Sequence, residues 1–496
     1  MTIARALQQN GYATGHCGKW HMAINHNAYP QPEDQGFDWT RHNLGTTKRM
    51  PNRLTGFATR EEGDPYQLDE NGFPYHQNSE DAMEFVSEHK DQPFFLYYAT
   101  WLVHTPIHTR SEELLQKYVK KLGVELPENP NEWKGEGQTN PFYCAMVEEL
   151  DYYVGRFLDY LNTTEDPRWP GHMLIENTYL IFTSDNGGME QHPGEIITDN
   201  APLARGKISA MEGGTRVPLI ITGPGIDAGV QSDVMGNGLD FFPTILALTG
   251  SKTPADKHLD GIDISNLLLT DPTNASLVLE ADGSVRDTMM WHFPNSIALE
   301  STLRIGDYKL VRNYDHVNNK YSPELELFRL YETQNGKQVR GDIEEAHNLA
   351  DSMPEKAQAM NQRLTQVLEE MQASYPYFNP DYKFPLPNKE NVCTVLTGVQ
   401  QGDTVEFTYQ ENGAKVLRAN LLYTLNGGDR YEEWFRTPAK LMPEGKVTAQ
   451  IPEGSTHVVI NLIDENQFLV SYPEVVDMMT RSKTKVNYSE TAMPVR

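Results

Sequence analysis

Cysteine is scarce in this 496-residue chain, and that scarcity is the first constraint on what it can be. Cys17, Cys144 and Cys393 are widely spaced and form no C-x-x-C pair, which excludes a disulfide framework and a thiolate zinc site and leaves the redox compartment open. Basic charge is short too: 42 Lys and Arg stand against 69 Asp and Glu, a formal net charge of −27. A field of that sign repels polyanions, so no nucleic acid and no anionic membrane is expected as a partner. No apolar run approaches the roughly 18–20 residues of a membrane helix, so no membrane span is expected. Low-complexity tracts and internal repeats are missing. The first residues show no charged segment followed by an apolar one, so no secretory signal is read there.

What is present is a globular composition, 38% hydrophobic and 10% aromatic, in a chain too long for one ordinary core. Thr2 and Gly11 bracket a short capped helix, so the chain opens inside a structured element. Ser79 through Glu88 reads as a helix capped by Ser79, followed by a strand at Phe94–Tyr98. Residues Pro141 to Leu161 carry Phe142, Met146, Leu150, Tyr153 and Phe157 at helical spacing. Two further apolar strands are read at Tyr179–Thr183 and Val217–Ile221. Helices alternating with fully apolar strands predict an α/β fold with a mostly parallel, buried sheet flanked by helices over residues 1–286. A smaller α+β subdomain is expected over 287–375, with strands near Leu303 and Tyr308–Val311 and a helix from Pro354 to about Met371. Residues 376–387 are proline-rich and read as a linker. Residues 388–496 alternate with a period of two between glycine turns and predict an appended β-sandwich.

In such sheets ligands bind beyond the carboxyl ends of the strands, which directs attention to three polar segments. Gly18-Lys19-Trp20-His21 sets a cation and an imidazole two residues apart, able to hold an oxyanion or to form a surface turn. His104-Thr105-Pro106 follows a strand; its imidazole reads as a site group or as a satisfied rim residue. Asp185-Asn186-Gly187-Gly188 offers two hard oxygen donors suited to Ca²⁺ or Mg²⁺, in a sequence that also makes ordinary turns. More specific is the stretch from Pro202 to Pro218. It lays a glycine-rich basic loop before a strand, with Lys207 and Arg216 as candidate cations.

These blocks, in this order, resemble the sulfatase family of the alkaline-phosphatase-like superfamily. Gly11-Tyr12-Ala13-Thr14 with Gly18-Lys19-Trp20-His21 is similar to one family signature, and Phe94–Tyr98 with His104-Thr105-Pro106 to its substrate-histidine strand. Met146–Asp151 with Val154-Gly155-Arg156 resembles its central helix, and Ile181–Gly188 its metal strand. Leu239–Thr244, Leu259-Asp260-Gly261 and Asn348-Leu349-Ala350 also fit, so the likeness covers roughly residues 2–375.

The resemblance implies an alkaline-phosphatase-like fold and hydrolysis of sulfate esters by a formylglycine, with a divalent cation, Ca²⁺ ahead of Mg²⁺. Asp185 and Asn186 would be metal ligands, and Lys19 and Lys207 would bind sulfate oxygens. His21 would hold a formylglycine hydroxyl, and His104 would contact the ester and protonate the leaving oxygen. Arg216 would support the loop. Trp291-His292-Phe293-Pro294 resembles a segment of bacterial sulfatases acting on glycans, so His292 would line a sugar subsite or pack ordinarily. A sulfated carbohydrate is favoured over other sulfate esters as the partner.

The formylglycine motif, Cys/Ser-x-Pro/Ala-x-Arg, does not occur; the nearest approach, Ser352-Met353-Pro354-Glu355-Lys356, ends in lysine and reads as a helix cap. The expectation is therefore an N-terminally incomplete copy, poorly stable and without turnover, of a protein that is periplasmic or secreted when full length. A phosphodiesterase or phosphonate hydrolase relative and a catalytically dead anion- or glycan-binding remnant are the alternatives. Oligomeric state is not readable.

Overall fold

The computed structural model describes residues 1–23, 29–41, 56–126, 137–190, 197–294, 298–317, 322–334, 337–383, 385–429, 432–474 and 487–496. The chain divides into two compact units, Met1–Asn313 with Leu325–Glu369, and Tyr314–Glu324 with Glu370–Arg496. Among the described residues no helix is long and apolar enough to cross a membrane.

The first unit opens with α1 (Ile3–Gln9). The Thr2 hydroxyl accepts from the Arg5 N–H at 3.1 Å, and Gly11 follows at φ +83°, the cap and stop that the residues predict. β1 (Ala13–Gly18) pairs in parallel with β2 (Trp39–Arg41) on one side and with β3 (Phe94–Ala99) on the other. Before β3 comes α2 (Gln77–His89), which starts ahead of the predicted cap; Ser79 is fully buried within it, its N–H bonded to the His76 carbonyl. α3 (Glu112–Leu122) and α4 (Pro141–Thr163) begin at side-chain caps, Ser111 and Asn140.

Strand alternation sorts the side chains of β3 onto two faces. Phe94, Leu96 and Tyr98 pack with Phe85, Val86 and Leu161 of α2 and α4. On the opposite face Phe95 packs with Ala6 and Leu7 of α1 and with Leu246, and Tyr97 meets the His16 ring. Helices thus cover both faces of the parallel sheet, as predicted.

β4 (Leu180–Thr183) and β5 (Leu219–Thr222) depart from that expectation. They run antiparallel, Leu180 opposite Thr222 and Thr183 opposite Leu219. Among the described residues of their connection the helix is the one-turn α5 (Glu212–Thr215), too little for a parallel crossover. Nor are these strands fully buried. Tyr97, Phe182, Leu219 and Ile220 are 49%, 38%, 41% and 60% exposed. The reason is pairing: among the described residues β3 pairs only with β1, and β4 only with β5. Leu180 still packs in the cluster that holds Leu96 and Tyr98.

After α6 (Phe241–Leu248) and α7 (Ser265–Leu269), four antiparallel strands follow: β6 (Thr288–Phe293), β7 (Glu300–Ile305), β8 (Tyr308–Asn313) and β9 (Leu325–Arg329). The hairpin β10 (Tyr331–Gln334) to β11 (Lys337–Arg340) comes next, then α8 (Pro354–Glu370), which Arg312 ties to β8 through Asn361 Oδ1 at 2.7 Å. Asp240 shows why the remote motifs matter to folding. Buried, it pairs with Arg286 at 2.7 and 2.9 Å and accepts from the Asn237 and Ile262 N–H groups, joining the Leu239–Thr244 and Leu259–Gly261 blocks.

The second unit, which also takes in Tyr314–Glu324 and the residues from Glu370 on, contains an antiparallel β-sandwich. One sheet has the order β12-β13-β17-β16 and the other β15-β14-β18-β19, from β12 (Thr394–Gln401), β13 (Thr404–Gln410), β14 (Val416–Thr424), β15 (Trp434–Pro438), β16 (Lys440–Met442), β17 (Lys446–Gln450), β18 (His457–Asp464) and β19 (Leu469–Tyr472). β20 (Met493–Pro494) adds to β18. Val405, Phe407, Leu421, Val447, Val458 and Ile460 fill the interior.

Three buried groups in the first unit set a pH dependence. Burial pushes His16 and His76 down from 6.5 to about 4, and pushes Glu149 up from 4.5 to about 7. Between pH 6.5 and 4 the unfolded chain binds more protons at each histidine, so acid removes stability there. Between pH 7 and 4.5 the folded chain binds more at Glu149, so acid adds stability there. Each shift is worth about 3 kcal/mol, so the three together lose roughly 3 kcal/mol between pH 7 and 4. Glu149→Gln removes the opposing contribution. Urea unfolding at pH 7 and pH 4.5 is expected to show a steeper acid loss in this variant than in the parent.

Candidate anion site at the strand ends

The ends of β1 and β3 meet, and so do the turn after β4 and the basic loop, each through backbone approaches that exclude side chains. Gly18, at φ +102°, ends β1; a Cβ there would lie 1.9 Å from the Ala99 carbonyl oxygen that ends β3. The next N–H, of Lys19, donates to that same oxygen at 2.6 Å. After β4, a Cβ on Gly187 would lie 1.7 Å from the Gly213 carbonyl oxygen, and one on Gly206 would lie 2.1 Å from that of Gly188. The Lys207 N–H donates to the Gly188 carbonyl at 2.9 Å, so the basic loop is hydrogen-bonded onto the turn after β4.

These contacts gather four of the predicted groups. Lys19 Nζ lies 4.0 Å from Asp185 Oδ2. Burial and then the charge of Lys207 push the Lys19 ammonium down from its usual range, against the pull of Asp185. His104 is lowered as well, by burial first and then by the Lys19 and Lys207 cations, with its bond to Thr105 and the Asp185 carboxylate opposing. Its Nδ1 lies 3.0 Å from the Thr105 carbonyl, and Thr105 Oγ1 is 3.1 Å from the same nitrogen. Lys19 is half-buried beside a carboxylate that is itself 67% exposed, and it feels the charge of Lys207 as well. The result is a positive site at the carboxyl ends of β1, β3 and β4, in a protein of strongly negative net charge.

Other predicted residues lie apart. His21 is exposed, two positions beyond Lys19. On β6, His292 has its Nδ1 2.6 Å from Ser301 Oγ on β7. Arg216 supports the loop, donating to Tyr331 Oη at 2.6 Å and lying 3.8 Å from Glu212.

Sequence reasoning missed Trp101 and His16. The Trp101 ring is 5.4 Å from Lys19 Nζ and edge-on to His104 at 5.7 Å; the signal was an aromatic just past a strand end. His16, buried among Trp20, Phe37 and Tyr97, has its Nε2 3.2 Å from the Lys19 carbonyl and so steadies that residue's backbone.

Asp185 and Asn186 stand together after β4. Asn186 Nδ2 donates to the Gly187 carbonyl at 2.9 Å, leaving its oxygen as a donor for a cation. Their chemistry suits Ca²⁺, which takes about six to eight oxygens, but two donors do not make a site. Among the described residues no group of three His, Cys, Asp or Glu side chains could hold a metal ion. The described residues therefore do not by themselves fit a resident cation.

Comparison with known proteins agrees with this arrangement. The family model described as Sulfatase matches residues 1–251. A sulfatase of Formosa agariphila is 32% identical over 323 residues, 61% of this chain and 51% of its own length. The N-acetylgalactosamine-6-sulfatase of Mus musculus is 28% identical over 326 residues, 62% of this chain and 53% of its own. The chain spans about half the length of the curated relatives it matches. The solved structure of Ps i-CgsB in complex with k-i-k-neocarrahexaose aligns with a TM-score of 0.54 at 23% identity, covering 75% of each chain, a likeness of fold.

Two outcomes are expected. Lys207→Ala removes a cation that depresses His104, so the imidazole titrates at higher pH, as followed by NMR of its ring protons. Calorimetry of this chain with CaCl₂ gives no binding tighter than about millimolar; a tighter heat would mean that the donors are complete.

Proposed function

The chain belongs to the sulfatase family, and from that premise we propose that its protein hydrolyses a sulfate ester whose sulfate group is held by Lys19, Lys207 and His104. The observation that carries this reading is the convergence of those three groups around Asp185 at the strand ends. Two ammonium groups with too little counter-charge take up an anion readily. In a partly desolvated site they stabilise the charge that develops on the sulfate oxygens.

His104 has the more interesting task. Burial first, and then the Lys19 and Lys207 cations, hold its imidazole below the usual range. A sulfate seated between the lysines offsets the push of the two cations, so binding raises His104 toward protonation. The protonated imidazole then donates to the ester oxygen as the alcohol leaves. Substrate thereby readies its own general acid.

Family membership implies a divalent metal and a formylglycine in general. Asp185 and Asn186 offer oxygens of the kind Ca²⁺ takes, and this chain's 496 residues contain no Cys/Ser-x-Pro/Ala-x-Arg motif. We therefore assign to this chain the binding of sulfate and the placement of the proton, and route no step through either group. Among sulfate esters we favour a sulfated carbohydrate, since relatives bear names such as N-acetylgalactosamine-6-sulfatase. His292 is kept only as a candidate sugar contact.

The test is sulfate titration of the chain by calorimetry and NMR. Expected are sulfate binding, an upward shift of the His104 titration on binding, and about tenfold weaker binding in Lys19→Ala and in Lys207→Ala. Sulfate affinity unaffected by either substitution would sink the assignment. With p-nitrophenyl sulfate the 496-residue polypeptide is expected to give no turnover, whereas a polypeptide that also carries the formylglycine motif is expected to be active.

A further inference from the structure

The loop that delivers Lys207 is strained on both sides of that residue. Arg205 and Ile208 sit at φ +56° and +71°, left-handed conformations that are unfavourable for a non-glycine residue. Such residues persist only where the surroundings over-determine them, and here the determinants are identifiable. Glu300 on β7 is 1% exposed, yet its carboxylate makes no bond to solvent-facing groups alone: it accepts from the Ala210 N–H at 2.5 Å and the Ser209 hydroxyl at 2.9 Å, and lies 3.4 Å from Arg205 Nη1. Asn200 Nδ2 donates to the Arg205 and Gly188 carbonyls at 3.0 Å each, pinning the loop to the turn after β4.

A second buried carboxylate holds the loop's far end. The Glu212 N–H donates to Glu345 at 2.7 Å. Lys309 Nζ, wholly buried, bridges Glu212 at 2.9 Å and Glu345 at 2.8 Å. Met211, between the two anchors, packs on Val311, Phe328 and Leu330. Removing a carboxylate from water is expensive unless every oxygen is paired. Two such groups on one short loop, on either side of Met211, are more than packing requires. None of these side chains is placed in the anion site itself.

We propose that Glu300 is the positioning residue for Lys207: it clamps Arg205, Ser209 and Ala210 so that Lys207 is presented to the sulfate in one conformation, with the Lys309–Glu345 pair as the second anchor. This rests on the anion-site reading above and adds the element that gives that site its shape. Glu300 does not touch substrate. His292, whose partner Ser301 adjoins Glu300, faces the opposite side of the β6–β7 ladder, so Glu300 acts through the loop and not through His292.

The experiment compares the parent chain with Glu300→Gln, Arg205→Lys and Ser209→Ala, reading sulfate affinity by calorimetry, amide hydrogen exchange and the melting temperature. Glu300→Gln is expected to weaken sulfate binding about tenfold and to release the Lys207 and Ala210 amides to exchange while β7 and β8 stay protected. Arg205→Lys keeps the charge and is expected to bind within about threefold of the parent. Should Glu300→Gln fail to fold, Ser209→Ala removes one partner from the loop side without touching the buried acid, and is expected to weaken binding about threefold. A merely structural role would lower the melting temperature and leave affinity and loop exchange alone in the folded variants; that result overturns the proposal. If the parent binds no sulfate, the anion reading falls, and the exchange arm still decides the clamp: selective release of 205–212 upholds it, and unchanged exchange rejects it.

Discussion

Close backbone approach is the constraint on which the site depends. The ends of β1 and β3 touch at Gly18 and Ala99, the turn after β4 touches α5 at Gly187 and Gly213, and the basic loop touches that turn at Gly206 and Gly188. Each contact would place a Cβ within about 2 Å of a carbonyl oxygen, so only glycine is tolerated. These contacts fix the backbone beside Lys19, Asp185 and Lys207, and Lys19 Nζ lies 4.0 Å from Asp185 Oδ2. The chemistry of the site is thus a consequence of where side chains are missing.

Charge follows from the same geometry. Lys19, Lys207 and His104 are brought near one another and partly out of water with a single exposed carboxylate between them, so the lysine nearest the turn and the histidine are both held below their usual ranges. Behind the loop the balance is reversed. Glu300, Glu212 and Glu345 are buried acids with Arg205 and Lys309 as their cations. A cationic front with an acid-rich support separates binding from positioning. The net charge of −27 leaves the site as a local exception to the protein's field, which favours an anion that fits over polyanions in general.

The open strands carry a different message. Tyr97, Phe182, Leu219 and Ile220 present apolar surface from strands whose composition belongs in an interior, and β3 and β4 share a hydrophobic cluster without sharing a ladder. Exposed, flat, apolar strands are the usual route to edge-to-edge association.

Much of this was legible in the residues. The Thr2–Gly11 helix, the β3 strand and α4 follow from caps and periodicity, and the sandwich follows from two-residue alternation between glycine turns. Lys19, His104, Asp185 and Lys207 were legible as site groups because each follows a strand or a glycine. Some features could not be read locally. Strand direction was one: β5 is as apolar as a parallel strand, and only the lack of a crossover helix turns it antiparallel. Burial was another, since apolar composition states what a strand prefers and pairing decides what it gets. Glu300 and Lys309 carry no local signal of a clamp, because the partners that make them one lie about 90 to 100 positions away. The residues by themselves determined which elements form and which side chains could do chemistry, because caps, periodicity and glycine act over a few positions. Only the tertiary structure decided which of those side chains meet, because hydrogen bonding and burial join positions that the chain keeps far apart.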